Sequence, residues 1–98
     1  MIGDSYEFDA VLWEWEARRE KWVFASLPED ISDEIASQPR PPSGFNSVKV
    51  QVRIGVSQWS TSIFPEKNAY VVPIKKAIRD KNGIDTGDSV TIGISLVD

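Results

Sequence analysis

The chain has 98 residues and contains neither cysteine nor histidine. Without cysteine there is no disulfide and no thiolate metal site. Without histidine, the Ser-His and Cys-His couples of nucleophilic catalysis are excluded. Any metal would have to be held by carboxylates and carbonyls, and no Asp/Glu spacing matches a calcium loop. No glycine-rich phosphate loop is present, since Gly83 and Gly87 read as a helix stop and a turn. No apolar run is long enough to span a bilayer, and the N-terminus lacks a basic segment followed by an apolar one. The expectation is a soluble cytoplasmic protein with no membrane contact and no cofactor.

What is present is an ordinary globular composition, 41% hydrophobic and 27% charged, so disorder is not expected. The length predicts one domain over residues 1–98, with residues 1–5 a loose end. The net charge of −4 is uneven, at −6 over residues 1–45 and +2 over residues 46–98. An acidic total disfavours a bulk electrostatic hold on nucleic acid. The second half still allows a local basic patch.

The clearest pattern runs from Tyr70 to Leu96. Tyr70-Val71-Val72 reads as a strand. Pro73 lacks an amide donor and suits a strand end or the first turn of a helix. Ile74, Ala77, Ile78 and Lys81 then recur at helical spacing, with Lys75, Lys76, Arg79 and Asp80 opposite. Asn82-Gly83 stops that helix, and Ile84 packs back over its last turn. Asp85-Thr86-Gly87-Asp88 is turn chemistry, with both aspartates placed to bond turn amides. Val90, Ile92, Ile94 and Leu96 alternate with polar or small residues as a half-buried strand.

Earlier in the chain, Tyr6–Trp15 is predicted as one strand with two apolar faces. Phe8, Ala10 and Leu12 form one face, and Val11, Trp13 and Trp15 the other. Residues 16–21 read as a hairpin connection and Trp22–Ser26 as the returning strand. Leu27-Pro28-Glu29-Asp30 opens a helix whose Ile31 and Ile35 face the core. Residues 38–45 form a proline-rich loop. Ser47–Ile54 and Gln58–Phe64 are strands, and Pro65–Asn68 is a turn. Strand, apolar-proline pair, helix and strand thus occur twice, with Pro28 and Pro73 forty-five positions apart. This is the pattern that a fused pair of swapped-hairpin halves would give.

Two resemblances bear on the fold. Val72-Pro73-Ile74-Lys75-Lys76-Ala77-Ile78-Arg79 followed by Gly87-Asp88-Ser89-Val90-Thr91-Ile92 resembles the proline–helix–glycine–aspartate–strand segment of AbrB-type swapped-hairpin proteins, which are transition-state regulators and antitoxins. That resemblance implies a double-split β-barrel that two short chains build by interlocking and that binds DNA. A longer one rests on Phe8-Asp9-Ala10, Trp22-Val23-Phe24, Leu27-Pro28, Ser62-Ile63-Phe64-Pro65, Tyr70, Pro73, Lys76, Arg79 and Gly87-Asp88. These resemble the uncharacterised bacterial domain-of-unknown-function family nineteen-oh-five. It implies a small β-barrel and no agreed activity.

The expected fold is therefore mainly β: a small closed double-split β-barrel with two short helices. One chain is expected to build the whole barrel, which permits a monomer. Two residue sets are candidates for binding. The basic set is Lys49, Arg53, Lys75, Lys76 and Arg79, for an anion or a phosphate backbone, weighed against an ordinary wet surface. The aromatic set is Trp13, Trp15, Trp59 and Tyr70, weighed against core filling. Asp30, Asp33 and Glu34 read as a solvated helix face and not as catalytic carboxylates. The function expected is a non-catalytic binding or interaction module, with a protein or small-molecule partner ahead of DNA. An AbrB-like DNA binder and an enzyme working through carboxylates are the alternatives.

Overall fold

The computed structural model describes residues 5–17, 20–38 and 47–97. Of the expected loose end at residues 1–5, Ser5 instead belongs to β1, paired with Ser95, and the rest lies outside the described residues, as does most of the proline-rich loop. Among the described residues the elements are β1 (Ser5–Val11), β2 (Trp13–Ala17), β3 (Glu20–Ser26), α1 (Glu29–Ala36), β4 (Val48–Ile54), β5 (Ser57–Glu66), β6 (Ala69–Pro73), α2 (Lys76–Asn82) and β7 (Ser89–Leu96). The strands form one curled antiparallel sheet in the order β1-β7-β4-β5-β6-β3-β2.

The period-two pattern decides which face turns inward. On β4, Val48, Val50, Val52 and Ile54 are buried and the residues between them are not. Val90, Ile92 and Ile94 on β7 and Phe8 with Leu12 join them. Val23 and Ala25 from β3, Tyr70 and Val72 from β6, and Ile35 from α1 complete one core. Alternation or helical spacing predicts the shared face of the β4 and β7 residues, of Phe8 with Leu12, and of Ile35, whereas no face is assigned from the sequence to Val23, Ala25, Tyr70 or Val72.

Several boundaries differ from the sequence expectation. The expected strand Tyr6–Trp15 divides at Leu12. There the Leu12 amide donates to Asp88 O at 2.9 Å and its carbonyl accepts from the Gly87 amide at 2.8 Å. The chain then changes partners, so β1 pairs with β7 and β2 with β3. The strands of the first hairpin also run further than expected, with Ala17 opposite Glu20. Pro65 belongs to β5 and not to the turn, which is Lys67-Asn68 alone. Proline is tolerated there because the β4 ladder ends at Val48↔Ile63, so that among the described residues no strand flanks residue 65 on that side. Pro73 ends β6 opposite Phe24, and α2 starts two residues later than the spacing suggested, behind Lys75 in an extended conformation. Its end is as expected: Gly83 is left-handed at φ 64°, and the Ile84 amide reaches Arg79 O at 3.0 Å.

Long strands divide their pairing. β5 pairs with β4 through Ser57–Ile63 and with β6 through Phe64–Glu66. The β1–β2 run does the same with β7 and β3, and only Leu12 separates its two pieces. Hairpin, helix and strand thus occur twice, as β2-β3-α1-β4 and β5-β6-α2-β7. The hydrogen-bonded sheet itself is open: β1 and β2 are its two ends and are not paired with each other.

Candidate binding surface

The β2–β3 hairpin carries the most distinctive surface. Alternation puts Trp13 and Trp15 on the outer face of β2, as it puts Trp22 and Phe24 on the outer face of β3. The register then sets Trp13 opposite Phe24 and Trp15 opposite Trp22. Phe24 is the centre of the group. Its ring centroid lies 5.2 Å from that of Trp13, 6.4 Å from Trp15 and 6.2 Å from Trp22, the last nearly parallel at 14°. Such ring pairs contribute about 0.5–1.5 kcal/mol each beyond their buried area. Trp13 is further held by its Nε1–H, which donates to Ser26 Oγ at 2.9 Å.

The surface continues across the sheet. Pro73 follows Phe24 on β6, and Val71 lies between Ser26 and Phe64. Val71 is buried yet lies outside the inner core cluster, so the outer face has hydrophobic cover of its own. Even so, much of this apolar area meets water. Trp15 is 54% exposed, Trp22 45% and Phe64 39%. Large exposed rings gathered on one face are the kind of patch that marks interaction sites, unlike scattered single ones.

The two other aromatic candidates belong elsewhere. Tyr70 is a core residue on the inner face of β6, and its amide donates to Ser32 Oγ at 3.0 Å. It also lines an open groove of about 440 Å³ between α1 and the β5–β6 turn, together with Glu29, Asp33 and Lys67. Trp59 packs against the core, and its Nε1–H is buried without an acceptor among the described residues. Trp22 and Phe24 were missed as surface residues because residues 16–21 were assigned to a connection. The readable signal is the mirror arrangement of Trp13-x-Trp15 and Trp22-x-Phe24 about Arg18-Arg19.

The basic candidates do not form one group. Lys49 and Arg53 lie exposed on the outer face of β4. The Arg53 guanidinium crosses Gly93 of β7, so closely that a Cβ there would stand 2.6 Å from Nη2. Lys75 and Lys76 are exposed on α2, and Lys76 pairs with Asp80 at 2.7 Å. Arg79 departs from the expected wet helix face. It is buried, with Nε donating to Ile74 O at 3.2 Å and Nη1 to Asp85 at 3.5 Å. The reason is the later helix start, which turns Ile78 and Arg79 inward and leaves Ala77 and Lys81 exposed.

Asp85 ties these parts together. Its carboxylate accepts from the Thr86 amide at 2.7 Å and from Lys21 at 3.1 Å, and Asp88 accepts from the Asp85 amide at 2.8 Å. The Thr86 amide, then the Lys21 ammonium, hold its carboxyl below the usual value of 3.8. Lys21 lies near the start of β3, so this ion pair fastens the turn end of the aromatic hairpin to the turn before β7. Among the described residues, no group of three or more carboxylates gathers to hold a metal.

Fold and surface together define a small, mainly β domain with an exposed aromatic sheet face. The model of a domain of unknown function, DUF1905, matches residues 8–94, and the chain belongs to that family. A comparison with curated proteins finds no match. No helix among the described residues is long and apolar enough to cross a membrane.

Proposed function

We propose that this domain is a non-catalytic binding module whose binding surface is the outer face of β2 and β3, continued by β6 and the end of β5. The observation that carries this reading is the grouping of Trp13, Trp15, Trp22 and Phe24 outside a core that is complete without them. The exposed halves of the two indoles add nothing to the fold, whereas a ligand covering them would gain roughly 25 cal/mol for each Å² removed from water.

The barrel is part of the proposal. The divided pairing of β5 and of the β1–β2 run supports a double-split barrel arrangement built within one chain, the two repeats standing for the two chains of an interlocked dimer. It is curled but not closed by a β1–β2 ladder, whereas the sequence expectation is a closed barrel. A single domain spanning residues 1–98 and a monomer in solution follow from this. A reducing, cytoplasmic setting fits the absence of cysteine. Light scattering tests the chain count: a monomer mass is expected, and an obligate dimer with exchanged strands overturns it.

The DNA reading draws less support. Arg79 is engaged inside the domain, Lys76 is paired, and the net charge is −4. Duplex DNA at moderate salt should give no gel shift, and Lys75→Ala with Lys76→Ala should change nothing there. The binding face is tested by following tryptophan emission across a panel of peptides and metabolites. Ligands that change it should lose most of their affinity in Trp15→Ala/Trp22→Ala. Undiminished binding by that variant would place the site elsewhere.

A further inference from the structure

We infer that β2 is a strand-addition site, taking an extended peptide in which basic and apolar residues alternate. This rests on the aromatic-face reading above and names the partner for that face. Among the described residues β2 ends the sheet and is paired as a strand with β3 alone. Natural edge strands are usually blunted by proline, by a bulge, by charged side chains or by cover from another element, and charges of one sign leave an edge open to a strand of the other sign. β5 shows such a device, with Pro65 on the piece that pairs with β6 and, among the described residues, has no strand on its other side. β2 occupies the matching place in the other repeat and reads Trp-Glu-Trp-Glu-Ala, with no proline.

Charge decides what fits that edge. Glu14 and Glu16 alternate along β2 with the indoles of Trp13 and Trp15. Glu14 is exposed and faces the apolar Val23 across the ladder, and the cation on that face of β3, Lys21, stands opposite residue 16 and bonds Asp85. An added strand would set one alternate set of its side chains beside Glu14 and the other beside Trp15. Lysine or arginine suits the first row and a β-branched or aromatic residue the second.

The same charges argue against a second copy. An antiparallel β2–β2 pairing that keeps both aromatic faces on one side sets residue 14 against 16, or 14 or 16 against itself, whenever it matches three or more residues of β2. Each of these places carboxylate against carboxylate, which is unfavourable. Area points the same way. A large ring buries about 150–250 Å², so the exposed parts of Trp15, Trp22 and Phe64 amount to roughly 300 Å², against about 800 Å² per partner in a standard interface. A short strand held by main-chain hydrogen bonds needs no more apolar area than this.

The test uses a blocked peptide of about seven residues alternating lysine and valine, which spans roughly 23 Å when extended and so covers all of β2. It is compared with a glutamate–valine peptide, with an oligoproline of equal length, and with two lysine–valine peptides N-methylated at one or the other alternate set of amides. Expected are saturable quenching of tryptophan emission, slowed hydrogen exchange at the β2 amides, and loss of about tenfold or more in affinity for one methylated peptide only. Glu14→Lys should weaken the lysine–valine peptide about threefold to tenfold, because a favourable cross-strand charge pair becomes an unfavourable one. The inference is overturned if the lysine–valine peptide does not bind at millimolar concentration, if the glutamate–valine peptide binds equally well, or if both methylated peptides bind like the parent. It is also overturned if the mass doubles in solution through a contact that Trp15→Ser abolishes. If the oligoproline quenches the indoles and the lysine–valine peptide does not, the aromatic face stands and strand addition falls. If the lysine–valine peptide protects the β2 amides but binds Trp15→Ala/Trp22→Ala undiminished, the edge stands and the aromatic face falls.

Discussion

Hairpin β2–β3 leads into α1 and β4, and hairpin β5–β6 leads into α2 and β7. The β1–β2 run and β5 divide their pairing in the same way, and the second strands of the two hairpins, β3 and β6, pair with one another. Their surroundings are opposite. On β6, Tyr70, Val71 and Val72 are all buried in succession, so that strand is covered on both faces. On β3, Val23 and Ala25 are buried while Trp22 and Ser26 are exposed. The β5–β6 hairpin carries a proline where its edge is bare, and the β2–β3 hairpin carries indoles and carboxylates. Matching topological places therefore leave room for different uses: one hairpin completes the core and the other is free to carry a surface.

The largest test of that contrast compares one aromatic residue from each hairpin. Tyr70→Ala removes a ring that is 6% exposed, and should cost about 3–5 kcal/mol, as large aromatic truncations in cores do. Trp15→Ala removes a ring that is 54% exposed, and should cost less than about 1.5 kcal/mol, the order of one ring pair. Urea unfolding of the two variants measures both. Equal losses would break the contrast and make the β2–β3 face structural.

Much of this was readable because alternation is a local signal. The inner faces of β4 and β7 follow from valine and isoleucine at every second position, and the left-handed stop at Gly83 follows from Asn82-Gly83 before an isoleucine. What escaped the reading depends on register and reach. Pro65 reads as a turn residue until it is known that β4 stops pairing at Ile63. Arg79 reads as a wet helix cation because its partners, Ile74 O and Asp85, are chosen by where the helix begins and by the turn beyond it. The gathering of the rings was only half legible. Trp13 and Trp15 share a face by spacing alone, but Trp22 and Phe24 join them only through a cross-strand register.

Next in size are the polar clamps by which the helices hold the strands. On the α1 side, Ser32 Oγ accepts from the buried Tyr70 amide at 3.0 Å. On the α2 side, Asn82 accepts from the Val56 amide at 3.2 Å and donates to Ser57 Oγ at 2.9 Å and to Ile78 O at 2.9 Å. Ser32→Ala strands a buried donor and should cost about 1–3 kcal/mol. Asn82→Ala removes more bonds, but water reaches them, so the loss should be nearer 1 kcal/mol. Thermal unfolding orders the two. A larger loss at Asn82 would mean that the β4–β5 turn, and not the Tyr70 strand, is the more dependent on its helix.

A smaller effect separates the hairpins by pH. Asp85 bonds Lys21 at the turn end of the aromatic hairpin, and its carboxyl is held below 3.8 by the Thr86 amide and by Lys21, with Arg79 also facing it. A lowered folded-state value means that Asp85 adds stability above its unfolded pKa, and that this is lost as pH falls through the lowered value. The stability difference between the native chain and Asp85→Asn should therefore be constant near neutral pH and shrink below about pH 4. Denaturation midpoints at stepped pH measure it. A difference that stays constant into strong acid would show that the hydrogen bonds to Asp85 do not depend on its charge.

The smallest effect lies at the tip of β5–β6. Lys67 has φ 58°, a left-handed conformation that costs a residue with a Cβ roughly 1 kcal/mol and glycine almost nothing. Lys67→Gly relieves that strain but gives the unfolded chain more freedom, so the net gain should stay below about 1 kcal/mol. Because the turn lies on the hairpin that serves the core, the variant should raise the urea midpoint while leaving the affinity of any ligand of the Trp15–Trp22 face unchanged. Lowered stability would show that the Lys67 side chain, on the rim of the α1 groove, makes contacts worth more than its backbone strain. An altered affinity would couple the two hairpins, through the β3–β6 ladder that joins them, and end the division of roles between them.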